Sequence, residues 1–146
     1  MNEKKQIRLT LPLPTSVNCA YAGKEVRYKS KDYKLWIEEA MISALAQKKY
    51  KITGDEWLEV DYHYYTHIYN KNGGKKIWDV FNFEKTLSDL LAGKKKKGIW
   101  TQPPIIDGFQ DHKIITGRVT KHESDRQEVE IIISEVTEFS VSDGSC

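Results

Sequence analysis

Apolar and polar residues alternate strictly through Gln6-Ile-Arg-Leu-Thr-Leu11, which predicts a strand with Ile7, Leu9 and Leu11 turned inward. Pro12 and Pro14 end it. Thr15-Ser-Val-Asn18 reads as a turn or loop, and residues 24–29 as a short second strand leading into Ser30. Ser30 or Asp32 is placed to cap a helix over about residues 33–48, with Trp36, Ile37, Ala40, Met41, Ala44 and Leu45 on its apolar face. Lysines at its C-terminal end suit the helix dipole. The strongest strand pattern covers residues 56–67: Leu58, Val60, Tyr62 and Tyr64 share one face, and Glu59, Asp61 and His63 the other. Such a strand belongs in the middle of a sheet, and Asn70-Lys-Asn-Gly-Gly74 breaks it.

A second helix is predicted to begin at Asp79 and to end at Gly93. Val80, Phe83, Leu87, Leu90 and Leu91 form its apolar face, while Asn82, Lys85 and Asp89 recur at three-and-four spacing on the other. Residues 94–108, which include Pro103-Pro104, carry only loop chemistry. Two last strands, about residues 113–120 and 127–134, flank the polar turn Glu123-Ser-Asp-Arg126 and are expected to form a hairpin. The order strand, helix, strand, helix, strand, strand predicts an α+β fold: a single domain, residues 1–134, with a mixed β-sheet and two main helices packed on it. Residues 135–146 form an acidic, flexible C-terminal tail in this reading.

Composition narrows the class. A chain of 146 residues, 39% hydrophobic and 30% charged, suits one soluble domain with a single core. No apolar run approaches the roughly 18 residues of a membrane span, and Met1-Asn-Glu-Lys-Lys-Gln6 does not resemble a signal peptide, so a cytoplasmic location without membrane partners is expected. Cys19 and Cys146 give neither a disulfide framework nor a zinc site. Net charge is only +2, but Lys75-Lys76 and Lys94-Lys-Lys-Lys97 bracket the second helix. A solvated loop explains such runs cheaply; an approach to a polyanion explains why they surround two acidic residues.

The candidate site pairs Asp79, inside that bracket, with Asp111, downstream of it. Carboxylates suit Mg²⁺ or Mn²⁺, and Lys85 would offset charge growing on a phosphodiester, which together suggest a nuclease. An N-cap role for Asp79 and a turn role for Asp111 stand beside that reading. His63 and His67 lie four apart on a strand, where the exposed face of a sheet accounts for them better than a metal does; His112 adjoins Asp111 and can relay a proton. Tyr62 and Tyr64 are expected in the core rather than stacked on bases.

Four pieces occur in order: Leu11-Pro-Leu-Pro14-Thr-Ser-Val-Asn18 with Tyr21; Tyr28-Lys-Ser30-Lys-Asp-Tyr33; Asp79-x-x-Asn82-x-x-Lys85-x-x-x-Asp89-x-Leu91; and Gln110-Asp111-His112-Lys113-Ile114. Over residues 6 to about 134 this layout resembles the RusA-type Holliday-junction resolvases. The resemblance implies a homodimeric, Mg²⁺-dependent endodeoxyribonuclease, often of phage or prophage origin, that resolves four-way DNA junctions by paired nicks in recombination and repair. It implies that Asp79, Lys85 and Asp111 are catalytic, that Asp79 and Asp111 bind metal with Asn82 or Asp107 as further oxygen donors, and that Lys75, Lys76, Lys94, Lys95, Lys96, Lys97 and Asn18 contact DNA. Two positions depart from the family pattern: Phe81 replaces the second aspartate of Asp-x-Asp-Asn, and Gln110 replaces the first of a downstream acidic pair. The alternative is a RusA-like protein that binds branched or single-stranded DNA without cutting it. The loop after Gly93 is longer than the family's, which suggests a contact with DNA arms or a second subunit.

Overall fold

The computed structural model describes residues 6–14, 21–22, 28–47, 51–52, 54, 56–75 and 81–136. The alternating segment forms β1 (Gln6–Pro12) at one edge of the main sheet, with Ile7, Leu9 and Leu11 buried as their spacing requires. β2 (Tyr21–Ala22) and β3 (Tyr28–Lys29) pair as a short antiparallel ladder. The first helix, α1 (Lys31–Leu45), is capped by Ser30, whose Oγ accepts a hydrogen bond from Tyr33 N at 3.2 Å. Tyr33, Trp36 and Ala40 turn inward, and Trp36 Nε1 donates to the Pro12 carbonyl at 3.0 Å.

α1 stops three residues short of the predicted end, and Gln47 supplies the reason. Its amide Nε2 donates to Ser43 O at the helix end and to Thr10 O on β1, while its Oε1 accepts from Thr10 N. One side chain thus satisfies both outward backbone groups of Thr10 on a strand that is an edge of the sheet among the described residues. The lysines expected at the helix end, Lys48 and Lys49, lie outside the described residues. Leu45, expected on the apolar face, is exposed.

The long central strand, β4 (Trp57–Thr66), buries Leu58, Val60, Tyr62 and Tyr64 on one side, as its alternation predicts. The second helix, α2 (Phe81–Ala92), covers that side with Leu87, Leu90 and Leu91, all fully buried. The main sheet is completed by β7 (Ile114–Thr116), β8 (Val119–Glu123) and β9 (Glu128–Val136). Its order is β1-β9-β4, with β7 and β8 sharing the far edge of β4. β9 runs antiparallel to both neighbours; β7 and β8 run parallel to β4, so the sheet is mixed. This is a single α+β domain with two helices over one face.

Three expectations need correction. The last strands do not form a hairpin, because β4 lies between β8 and β9. The link between them crosses the end of β4, where Ser124 N donates to Thr66 O and Thr66 Oγ1 to Gln127 Oε1. Passing over one strand means spanning about 10 Å, two strand spacings, which a four-residue link reaches and a two-residue turn does not. Secondly, residues 94–102 are not loop but a hairpin of β5 (Lys94–Lys96) and β6 (Ile99–Gln102). Lys97 and Gly98 both have positive φ, 52° and 79°, which is the two-residue turn that matches strand twist. Thirdly, β9 continues through Glu135 and Val136, two residues that the sequence assigns to the tail; residues 137–146 lie outside the described part.

Candidate nuclease site

After β6 the chain turns back under α2 and is fastened at several points. Gly93 ends the helix at φ 71°, and a Cβ there would lie 2.6 Å from Gln102 O and 2.7 Å from Pro104 N, so only glycine lets the hairpin return this closely. Ile106 N donates to Leu91 O, an otherwise open carbonyl of the last helical turn. Ile106 and Phe109 are buried beside Ile52, whose amide donates to Asp107 O at 2.8 Å. Gly108, at φ 84°, passes so close to Ile52 that a Cβ would stand 2.0 Å from its carbonyl oxygen. These anchors fix the short 3₁₀ turn of Asp111-His112-Lys113, which leads directly into β7.

Asp111 and His112 are exposed on that turn, at one wall of a cleft of about 440 Å³. Asp107, Lys95 and Trp100 line the same cleft. A second depression, about 420 Å³, lies between α2 and the far edge of the sheet, with Tyr62, Glu84 and Ser88 in its lining. Tyr62 is the buried phenol of the second depression. Burial pushes its phenol up to about 12; a hydrogen bond with Ser88 opposes this, and the negative charges of Glu84 and Asp111 add to the rise. The carboxylates of Glu84, in the first turn of α2, and of Asp111, on the 3₁₀ turn, thus both contribute to that rise. Tyr64 behind it is raised further, by burial, by Tyr62 and by Glu84.

Glu84, which lines the second depression with Tyr62 and Ser88, was not among the residues singled out from sequence. Glu84 precedes Ser88 by four positions, so the two share one side of the helix. That spacing was the available signal. Lys85 and Asp89, the next residue in each turn, are rotated about 100° away from Glu84 and Ser88. They pair with each other at 3.4 Å, with Lys85 largely exposed, so the polar row is an i,i+4 ion pair at the rim.

Asp79, Lys76 and Asn18 lie outside the described residues, as does the side chain of Asn82. Asp107 is exposed and faces Lys51 at 3.7 Å, so its nearest charged partner is that lysine and not Asp111. Among the described residues no three acidic, histidine or cysteine side chains come together as a metal-binding group. Glu84 and Asp111 carry hard oxygen donors of the kind Mg²⁺ takes.

The described lysines expected to contact DNA fall into two places. Lys75 sits at an isolated bridge with Tyr69, and Lys95, Lys96 and Lys97 lie on the hairpin; Lys94 is half-buried. The histidines on the open side of the sheet are held by neighbours. His63 Nδ1 lies 2.9 Å from His122 Nε2, and His67 contacts Glu123 and Asp125 at 2.8 and 3.0 Å. Tyr65 is stacked between His122 and Arg126. These are contacts of an exposed sheet face, as expected. Among the described residues no helix is long and apolar enough to cross a membrane. No protein-family model matches the chain, and no curated protein matches it either.

Proposed function

We propose that this chain is a RusA-like, Mg²⁺-dependent endonuclease that nicks four-way DNA junctions as a homodimer. One observation carries the reading: Asp111 and Glu84, from a turn and a helix far apart in sequence, act electrostatically on the same tyrosine. Both are carboxylates of the kind that the four-part resemblance assigns to metal binding, on elements that border neighbouring clefts. Glu84, one turn along from Phe81, stands in for the aspartate missing there.

Asp79, Glu84 and Asp111 would hold Mg²⁺, with Mn²⁺ as a substitute; the bound ion supplies an activated water and polarises the phosphodiester. Lys85 offsets negative charge developing on the phosphate oxygens, and its pairing with Asp89 directs the long side chain. His112, exposed beside Asp111, accepts or relays a proton. Lys75 and the hairpin lysines attract the phosphate backbone.

The test is cleavage of a synthetic four-way junction by Asp79→Asn and Glu84→Gln. Both variants should lose nicking by at least a hundredfold and bind the junction as the parent does. Retained cutting in Asp79→Asn refutes the assignment of the site. Phe81 favours a second reading, a RusA-like binder of branched DNA that does not cut; it predicts junction binding with no Mg²⁺-dependent nicking.

A further inference from the structure

We infer that the β5–β6 hairpin is a DNA-binding wedge, in which Trp100 stacks on an unpaired base while Lys95, Lys96 and Lys97 hold the flanking phosphates. This rests on DNA as the substrate proposed above, and extends it to strands with unpaired bases.

The hairpin is a built element. Lys95 pairs with Trp100 and Lys96 with Ile99, joined by the tight turn at Lys97-Gly98, and Thr101 Oγ1 bonds Lys94 O across a local register shift. Its composition is one-sided: from Lys94 to Gln102 it holds four lysines and no acidic residue. Large apolar side chains are nevertheless left in solvent. Ile99 is 72% exposed and Trp100 44%. An apolar protein partner has no need of four lysines, and a bare polyanion has no use for an exposed indole. A nucleic-acid strand with a base out of its stack satisfies both, since every base offers a planar face and a phosphate on either side.

Position supports the same occupant. Cross-strand pairing puts Lys95 and Trp100 on one face of the hairpin, and Lys95 Nζ lies 4.4 Å from the ring centroid. The ammonium covers one side of the indole, and the 44% of Trp100 that stays exposed is the surface offered to a base. Both residues line the cleft that also contains Asp111 and His112. A base held on Trp100 would therefore set its own phosphate near the carboxylates, and four-way junctions supply unstacked bases at their branch point.

The experiment uses the full chain in EDTA, so that cleavage plays no part. Binding is followed by fluorescence anisotropy on three labelled DNAs: a single strand, a four-way junction and a fully paired duplex. Trp100→Ala should weaken the single strand and the junction by roughly fivefold to a hundredfold, the value of one stacked base. The duplex should change by less than about twofold, and Trp100→Phe should recover most of the loss. Lys96→Gln with Lys97→Gln should lower the slope of log affinity against log salt by about one to two on all three DNAs. Equal binding by Trp100→Ala and its parent on the single strand overturns the inference. So does a Trp100→Ala variant that binds DNA normally but changes its oligomeric state in size-exclusion chromatography, because the hairpin is then a protein interface. Because these readings precede chemistry, a hairpin effect without any cutting refutes only the nuclease. Cutting that ignores Trp100 refutes only the wedge.

Discussion

Replacing Gly108 by alanine tests whether the loop that carries Asp111 is fixed by its backbone fit. Gly108 has φ +84°, where a Cβ costs about 1–2 kcal/mol. The added carbon would also lie 2.0 Å from Ile52 O, well inside the ordinary contact distance of 3.4 Å and above. Relief requires the strands of chain at Ile52 and Gly108 to separate by more than an ångström, which breaks the 2.8 Å bond from Ile52 N to Asp107 O. Ile52 is buried, so that loss costs about a further 1–3 kcal/mol. The expected destabilisation is thus about 3 kcal/mol. Gly98→Ala is the matched control, because Gly98 has φ +79° but nothing within 4 Å of its Cβ position; it should cost only the first, conformational part. Denaturant unfolding followed by circular dichroism gives both values, and the slope with denaturant should be the same for the two variants. Junction cleavage by Gly108→Ala should fall as well, since Asp111 follows three residues later. Equal stability of the two variants within about 0.5 kcal/mol would refute the reasoning.

Two further outcomes follow from named contacts. Removing the Gln47 side chain in Gln47→Ala releases both backbone groups of Thr10, and should cost about 1–2 kcal/mol and speed hydrogen exchange at the Thr10 amide. The Glu123 carboxyl is held below its usual 4.5 by the Ile68 amide first and His67 second. A lowered folded value stabilises the protein above the unfolded pKa and ceases to do so as pH falls through the folded one. The Tm advantage of the parent over Glu123→Gln should therefore be full at pH 7 and vanish on acidification below about 4.5.

Period-two and helical patterns identified β1, β4, α1 and α2 because burial of one face dictates those spacings, and Ile7, Leu9, Leu11, Leu58 and Leu90 obey them. Pairing partners were less legible. That β8 and β9 flank β4 depends on backbone satisfaction across the sheet, which no local pattern records. The hairpin at Lys94 to Gln102 was hidden because its strands are short and mostly polar, so there is no buried face to alternate; its turn residues, Lys97 and Gly98, were the only trace. At the site, sequence singled out Asp111 by its place in a motif, whereas Glu84 shared only a four-residue spacing with Ser88, and its place in one depression with Tyr62 depends on how α2 packs on the sheet. Lys85 and Asp89 share a face as predicted, and the face is the outer one.

The most direct test is a Mg²⁺ titration of cleavage on a labelled four-way junction, comparing the parent chain with Asp111→Asn. The account predicts paired nicks near the branch that saturate with metal in the parent, and their loss in Asp111→Asn with junction affinity unchanged. No nicking by the parent at any Mg²⁺ or Mn²⁺ concentration, or undiminished nicking by Asp111→Asn, would contradict it.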